Sequence, residues 1–518
     1  MCDACINRRK FMGVTAAGLA GAGLVGAAMG LSGVLHAAAP TEPWNPELPL
    51  AIGGRTLKVQ PVFMYTTYSR REKTSWKSWS DINTKEAAAA EAGRISKELA
   101  ALAAGADFPL EILPLANVTS IPEARKVHES DYDVLVLYPA TGGGDVLRAC
   151  FPQKTDKDML LFVRHQSGLT YYWYEAIGTR ILKKDTPEEL AQNTARNHGG
   201  PTVNDVVVDD YGELTWRLRA LGGLKNFIGR RIVALGGPQG KWDGQAPKVA
   251  QEKYEFDIVT VTYEDLAKRI QAARADADLV AQAQKWTQQY QAMPGTKLET
   301  AQPFVTNAFL LYRIFKDWMH EHSATAFTIG SCMNTVMPMS ETTACLPLSW
   351  LNDEGLAAFC ESDFVIIPAG LLLHAVARRP VFLCNSTFPH KGIVTCAHCT
   401  APRRMDGKTY EPARILTHYE SEYGAAPKVE MPIGQEVTIL DPEYATGRVL
   451  GFKGTIKANP FHAICRTQQD IQIQGDWKRL LVEARDSHWV MAYGDWMQEL
   501  TYAANKVGIK WVTLTPSA

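Results

Sequence analysis

The densest run of chemically capable side chains in this 518-residue sequence lies between Leu351 and Arg404. It holds Asn352-Asp353-Glu354-Gly355, then Cys360-Glu361-Ser362-Asp363, then Pro380-Val381-Phe382-Leu383-Cys384-Asn385. It closes on Cys396-Ala397-His398-Cys399-Thr400-Ala401-Pro402. Carboxylates, thiols and an imidazole offer acid–base, nucleophilic or metal-binding chemistry, yet each taken singly also has a structural explanation. Glu361 and Asp363 open a strongly apolar stretch, Phe364 to Val376, that reads as a buried helix. Acids in a helix's first turn are favoured by its dipole, so capping accounts for this pair as well as catalysis does. The Cys396–Cys399 pair has three readings: a disulfide, half of a zinc site, or two packed thiols.

Three other stretches carry residues with chemical potential. Gly142-Gly143-Gly144 and Gly236-Gly237-Pro238-Gln239-Gly240-Lys241 both follow strand-like runs. The second superficially resembles a phosphate loop, but its spacing is wrong and Trp242 stands where a Ser or Thr should meet magnesium. Strand-to-helix turns need glycine in any case, so no nucleotide site follows. Between Tyr68 and Trp79 the chain interleaves Arg70, Arg71, Lys73 and Lys77 with Trp76 and Trp79. Flat indoles beside long donors suit a sugar-binding rim. They also suit single-stranded nucleic acid, or a surface loop with its tryptophans turned inward.

Elements must hold these residues in place. Thr56–Tyr65, Leu110–Leu115, Tyr132–Tyr138 and Met159–Val163 read as strands, with a helix over Lys85–Ala104. Arg231–Leu235, Phe256–Thr262 and Ala324–Ile329 read as further strands, and Tyr263 to His320 is mostly helical. Alternating strands and helices imply parallel sheets covered on both faces. From Thr409 to about Gly475 the runs Glu436–Leu440, Arg448–Lys457 and Asp470–Gln474 alternate between turn residues, which predicts an antiparallel module. Strand His488–Tyr493, a helix over Asp495–Val507 capped by Asp495, and strand Ile509–Leu514 close the chain. The expected architecture is α/β: two Rossmann-like doubly wound parallel-sheet domains followed by a C-terminal β-rich, antiparallel barrel-like α+β domain. The expected boundaries are 40–165, 166–375 and 376–518.

The first 39 residues read differently. Arg8 and Arg9 precede Lys10, Phe11 and Met12, and from Phe11 to Thr41 no residue is charged. Gly and Ala dominate that stretch, which ends at His36-Ala37-Ala38-Ala39-Pro40. This is the pattern of a twin-arginine export signal with small residues at its cleavage site. The twin-arginine translocase is then a partner during export, and the mature protein works in the periplasm or another extracytoplasmic space, free of the membrane. Losing Arg8, Arg9, Lys10 and Asp3 with the signal moves the formal charge from −1 to −3. So near-neutral a chain has no electrostatic footprint for nucleic acid.

The order Leu-Asn-Asp-Glu-Gly, Cys-Glu-x-Asp, an apolar helix ending Arg-Arg-Pro-Val-Phe-Leu, and His-Cys-x-x-Pro carries a resemblance. With Ser487-His488-Trp489-Val490-Met491-Ala492-Tyr493-Gly494-Asp495 it resembles the L-fucose/L-arabinose isomerase superfamily, fucose-isomerase branch, from about Phe327 onward. That resemblance implies aldose–ketose isomerisation of a sugar or sugar derivative through an enediol. It implies manganese or another divalent cation held by a Glu, an Asp and a His, with carboxylates moving the proton. Carried over residue by residue, the Glu is Glu361, the His is His488, and the Asp falls on Asn385. Asp363 is a second candidate catalytic carboxylate, and His398, Trp76 and Trp79 are candidate substrate contacts. An amide can still offer an oxygen to a hard cation but cannot accept a proton. The alternative expectation is therefore a non-catalytic carbohydrate-binding relative. A trimeric or hexameric homo-oligomer is implied by resemblance alone.

Overall fold

The computed structural model describes residues 44–75, 77, 79–153, 156–182, 201–241, 243–443 and 447–514. The signal residues Arg8, Arg9 and Phe11, and Trp76 of the candidate rim, lie outside the described residues. Two compact units divide the described residues, one running from Thr56 to Leu221 and the other comprising residues 44–55 and 222–514.

The first unit is built on a parallel sheet. Its strands are β1 (Leu57–Met64), β2 (Leu110–Ile112), β3 (Ala116–Val118), β4 (Val134–Pro139), β5 (Asp158–Val163) and β6 (Val206–Val208). They lie in the order β2-β1-β4-β5-β6, with β3 also beside β1, and every pair is parallel. Strands β4 and β5 are almost wholly apolar and buried, as strands covered on both faces must be. The expected helix forms over Lys85–Gly105, started by Thr84, whose hydroxyl accepts the Ala87 N–H. The unit reaches well past the expected boundary at 165, because Val206–Val208 adds a strand to this same sheet.

The second unit joins a parallel sheet to a closed barrel. Its strands are β7 (Arg231–Leu235), β8 (Asp257–Val261), β9 (Thr296–Leu298), β10 (Ala326–Ile329), β11 (Ala357–Phe359), β12 (Phe382–Ser386), β13 (Ile393–His398), β14 (Ala413–Leu416), β15 (Ala426–Val429), β16 (Glu436–Glu443), β17 (Arg448–Ala458), β18 (Thr467–Gln474), β19 (His488–Tyr493) and β20 (Lys510–Thr513). The parallel sheet runs β11-β10-β7-β8. The barrel closes through the antiparallel ring β16-β19-β12-β13-β18-β17 and back to β16, with β20 added parallel to β17. Closure leaves the six ring strands without a free edge. Strands β9, β14 and β15 make a small separate sheet.

One hydrophobic core serves both parts of this unit. Val233, Leu235, Phe327 and Ile329 of the parallel sheet belong to the same buried cluster as Phe382, Cys384, Phe452, Trp489 and Met491 of the barrel. Helix Gln302–Glu321 adds Phe309, whose ring stacks on Trp350 at 3.9 Å. Packing this dense fixes the carboxyl ends of β7 and β11 against the ends of β13 and β19.

Two local expectations change. The helix read from Phe364 begins at Ile367, with Pro368 in its first turn, so Glu361 and Asp363 precede it rather than fill its first turn. The pair is not explained by the helix dipole. The last helix begins at Met497 with Trp496 as its cap residue, and Asp495 instead accepts the Met497 N–H. Among the described residues no helix is long and apolar enough to cross a membrane.

Candidate metal centre

The site grows from two adjacent loops at the carboxyl edge of the parallel sheet. After β7 the chain turns through Gly236 and Gly237, both at positive φ, and reaches Gln239-Gly240-Lys241. After β11 it turns through Glu361 and Ser362, also left-handed at φ 65° and 48°. Non-glycine residues in that region cost energy and are held there by what surrounds them. Here the Gln239 N–H donates to the Ser362 carbonyl at 3.0 Å, and the Phe364 N–H returns a bond to the Gln239 carbonyl at 2.8 Å. The two loops are thereby tied together.

Asp363 completes the tie. Its Oδ1 accepts the backbone N–H of Lys241 at 3.0 Å and of Val365 at 3.1 Å. Its Oδ2 lies 2.7 Å from His488 Nδ1, at the first residue of β19. A carboxylate accepts, so the ring carries its proton on Nδ1 and turns the Nε2 lone pair outward. Asp363 and His488 are both fully buried.

His488 Nε2 faces Glu361 Oε2 at 3.6 Å, and His398, at the end of β13, brings Nε2 to 3.7 Å from Glu361 Oε1. Thr400 Oγ1 sits 3.1 Å from His398 Nδ1 and fixes that ring's orientation. Among the described residues, Glu361, His398 and His488 form the group able to hold a metal ion, their ligand atoms all within 4.8 Å of one another. Burial pushes the Glu361 carboxyl up, but His398, His488 and Lys241 outweigh it and hold the group well below the usual carboxylate range. Glu361 is the one member of the triad with substantial exposure, its side chain 40% accessible.

Of the other candidates, Asn385 stands directly opposite His488 in the β12–β19 ladder, so both side chains project from the same face. Its Oδ1 is buried and has no hydrogen-bond partner. A buried amide oxygen left unbonded is costly, and this one is available to a cation or a substrate hydroxyl. His398, expected as a substrate contact, stands among the three residues that could hold a metal ion. Asp363, expected as a catalytic acid or base, has both oxygens engaged and no access to solvent, and acts by positioning His488. Trp79 belongs to the first unit, where it is 63% exposed. That unit also opens a cavity of ≈ 490 Å³ at the carboxyl ends of β1 and β4, lined by Thr66, Thr67, Ser69, Gly143, Arg148 and Trp173.

Sequence reasoning passed over Lys241. Its Nζ lies 3.0 Å from both Glu361 Oε2 and His488 Nε2. The signal was present in the glycine-rich turn after β7, set aside because it failed as a phosphate loop. The Cys396 and Cys399 thiols are both free and point to different partners: Cys396 contacts Cys384, while Cys399 contacts Cys345 and Cys465. They are packed thiols rather than a linked pair.

A carboxylate oxygen and two imidazole nitrogens are a donor set able to hold a divalent cation. The carboxylate behind His488 is the usual outer partner of a metal-binding imidazole. No protein-family model matches the chain, and no curated protein matches it.

Proposed function

We propose that the protein is an exported, divalent-cation-dependent enzyme that interconverts an aldose and a ketose, or epimerises a sugar derivative, through an enediol. The observation that carries this reading is the Glu361–His398–His488 group with Asp363 behind His488. A bound divalent cation supplies polarisation of the sugar carbonyl and its neighbouring hydroxyl. Glu361 is the partly exposed carboxylate of the group, and in this reading it takes a proton from the carbon beside the carbonyl and returns it to the other. His488, oriented by Asp363, and His398, oriented by Thr400, present their Nε2 atoms to the same locus. Asn385 offers a neutral oxygen and cannot relay a proton.

The likeness to the fucose-isomerase branch, the Rossmann-like character of the parallel sheets, the twin-arginine export to the periplasm and a trimeric or hexameric assembly belong to the same proposal. The amide at position 385 favours a second reading, a carbohydrate-binding protein that retains the pocket without turnover, because one proton-accepting group is missing. The test is hydrogen–deuterium exchange at C2 of a panel of aldoses, ketoses and sugar acids with purified mature protein and Mn²⁺. Exchange that disappears in Glu361→Ala supports the enzyme. Sugar binding without exchange, indifferent to chelator, selects the second reading.

A further inference from the structure

Lys241 has no place in the resemblance, yet its ammonium sits closer to Glu361 than either histidine does. Nζ lies 3.0 Å from Glu361 Oε2 and 3.0 Å from His488 Nε2, and those two atoms are 3.6 Å apart. An isosceles triangle with those sides puts Nζ about 2.4 Å from the midpoint of the line joining them. An ion held by the same two atoms at roughly 2.1 Å would sit about 1 Å from that midpoint. Whatever the angle between them, the two cations would be no more than about 3.5 Å apart and would contact the same two atoms. His488 Nε2 has a single lone pair, so it cannot bind an ion while it accepts from the ammonium, and the two positive charges repel across that gap.

We propose that the Lys241 ammonium is the resident cation of the Glu361–His488 pair and that a divalent ion enters only as Lys241 swings out, the two being mutually exclusive occupants. This rests on the divalent-cation reading above and adds the device that regulates loading. The backbone of Lys241 stays in place during the exchange, because Asp363 Oδ1 holds its N–H and the Gln239 bridge holds the loop. Only the four-carbon stem moves. It has room to do so, since the Lys241 side chain is 29% accessible and has open solvent to turn towards. With Lys241 inward, Glu361 is already neutralised, so an incoming ion must replace an existing ion pair rather than fill an unmet charge. Loading is therefore weaker and more readily reversed than the same ligands would give without the lysine.

The test uses the full mature chain and Mn²⁺ alone, without sugar. Affinity is measured by titration calorimetry, or by the free-ion electron paramagnetic resonance signal, for wild type, Lys241→Met and Lys241→Arg. Lys241→Met removes the competing charge while keeping the stem, and its Mn²⁺ affinity should rise at least tenfold. Lys241→Arg keeps a cation and should bind no tighter than wild type; it also guards against a loop that collapses without a charge. In parallel, wild-type protein is treated with acetic anhydride, and lysine labelling is read by peptide mass spectrometry. Saturating Mn²⁺ should increase labelling of Lys241 severalfold relative to the other lysines. Wild-type binding of Mn²⁺ with no gain in Lys241→Met and no change in labelling overturns the exclusion and leaves the metal reading standing. Absence of Mn²⁺ binding from all three proteins overturns both.

Discussion

Asp363 Oδ2 and His488 Nδ1 are 2.7 Å apart with both side chains fully buried, across 125 residues of sequence. A buried carboxylate is tolerable only when its oxygens are bonded, and both oxygens of Asp363 are, to His488, Lys241 and Val365. The consequence is an imidazole with one tautomer and one orientation. The site is therefore organised before any ligand arrives.

Replacing Asp363 by Asn should loosen that arrangement while preserving shape. The amide can present an N–H to Nδ1 and favour the wrong tautomer, so Mn²⁺ affinity should fall about 10- to 100-fold. Calorimetric titration decides it. An unchanged affinity would mean that His488 is held by its strand alone.

Asn385→Asp adds a carboxylate on the face that carries His488. Without metal, a further buried negative charge on that face should lower stability by about 1–3 kcal/mol. With Mn²⁺ the loss should be recovered and binding should tighten about tenfold, because affinity for hard cations follows ligand charge. Melting curves with and without Mn²⁺ test this. A variant destabilised equally in both conditions removes Asn385 from the metal's surroundings.

The turn that carries Lys241 should be intolerant of a side chain at one glycine and tolerant at the next. Gly236 has φ 80°, and a Cβ there would stand 2.0 Å from the Tyr263 hydroxyl. Gly237 has φ 86°, but its Cβ would meet nothing nearer than Thr260 at 3.7 Å. Gly237→Ala should cost about 1 kcal/mol for left-handed backbone, and Gly236→Ala about 1–3 kcal/mol more for the clash. Urea midpoints of the two variants compare them directly. Equal losses would show that Tyr263 gives way freely.

Stability should fall between pH 5 and pH 8. Burial pushes the Glu411 carboxyl up to about 8, opposed by the Tyr493 hydroxyl that donates to it at 2.6 Å. Burial likewise raises Asp353 and Asp441, each to about 7. A carboxyl raised in the folded state binds its proton more tightly there than in the unfolded chain. Its contribution is complete below about 4.5 and is lost as pH climbs through the folded value. Glu411→Gln keeps an acceptor for Tyr493 and removes the titration, so the loss from pH 5 to pH 8 should shrink by a few kcal/mol. Urea denaturation at intervals across that range measures it. An identical slope in the variant would assign the effect to the two aspartates.

Local pattern was enough for much of the fold. Arg231–Leu235 was legible to the residue, and β1, β5, β19 and the helix from Lys85 to within a residue or two, because apolar runs bounded by turn residues and a Thr cap report on neighbours in sequence. The antiparallel C-terminal character was legible for the same reason. A barrel-like module was expected on the same grounds, but which strands close it was not legible, since β16, beyond its hairpin with β17, pairs with β19 about 50 residues further on.

The site divides along the same line. Glu361 and His488 were named from sequence because each sits in a motif of several residues. The amide at Asn385 was named from its offset after Glu361. The role of Asp363 and the presence of Lys241 belonged to the tertiary structure alone. Lys241 and Glu361 are 120 residues apart, and only the parallel pairing of β7, β10 and β11, packed through one core onto the barrel, brings their loops into contact. Residue type declares what a side chain can do. Which charge stands beside it is set by packing between elements that no local spacing encodes.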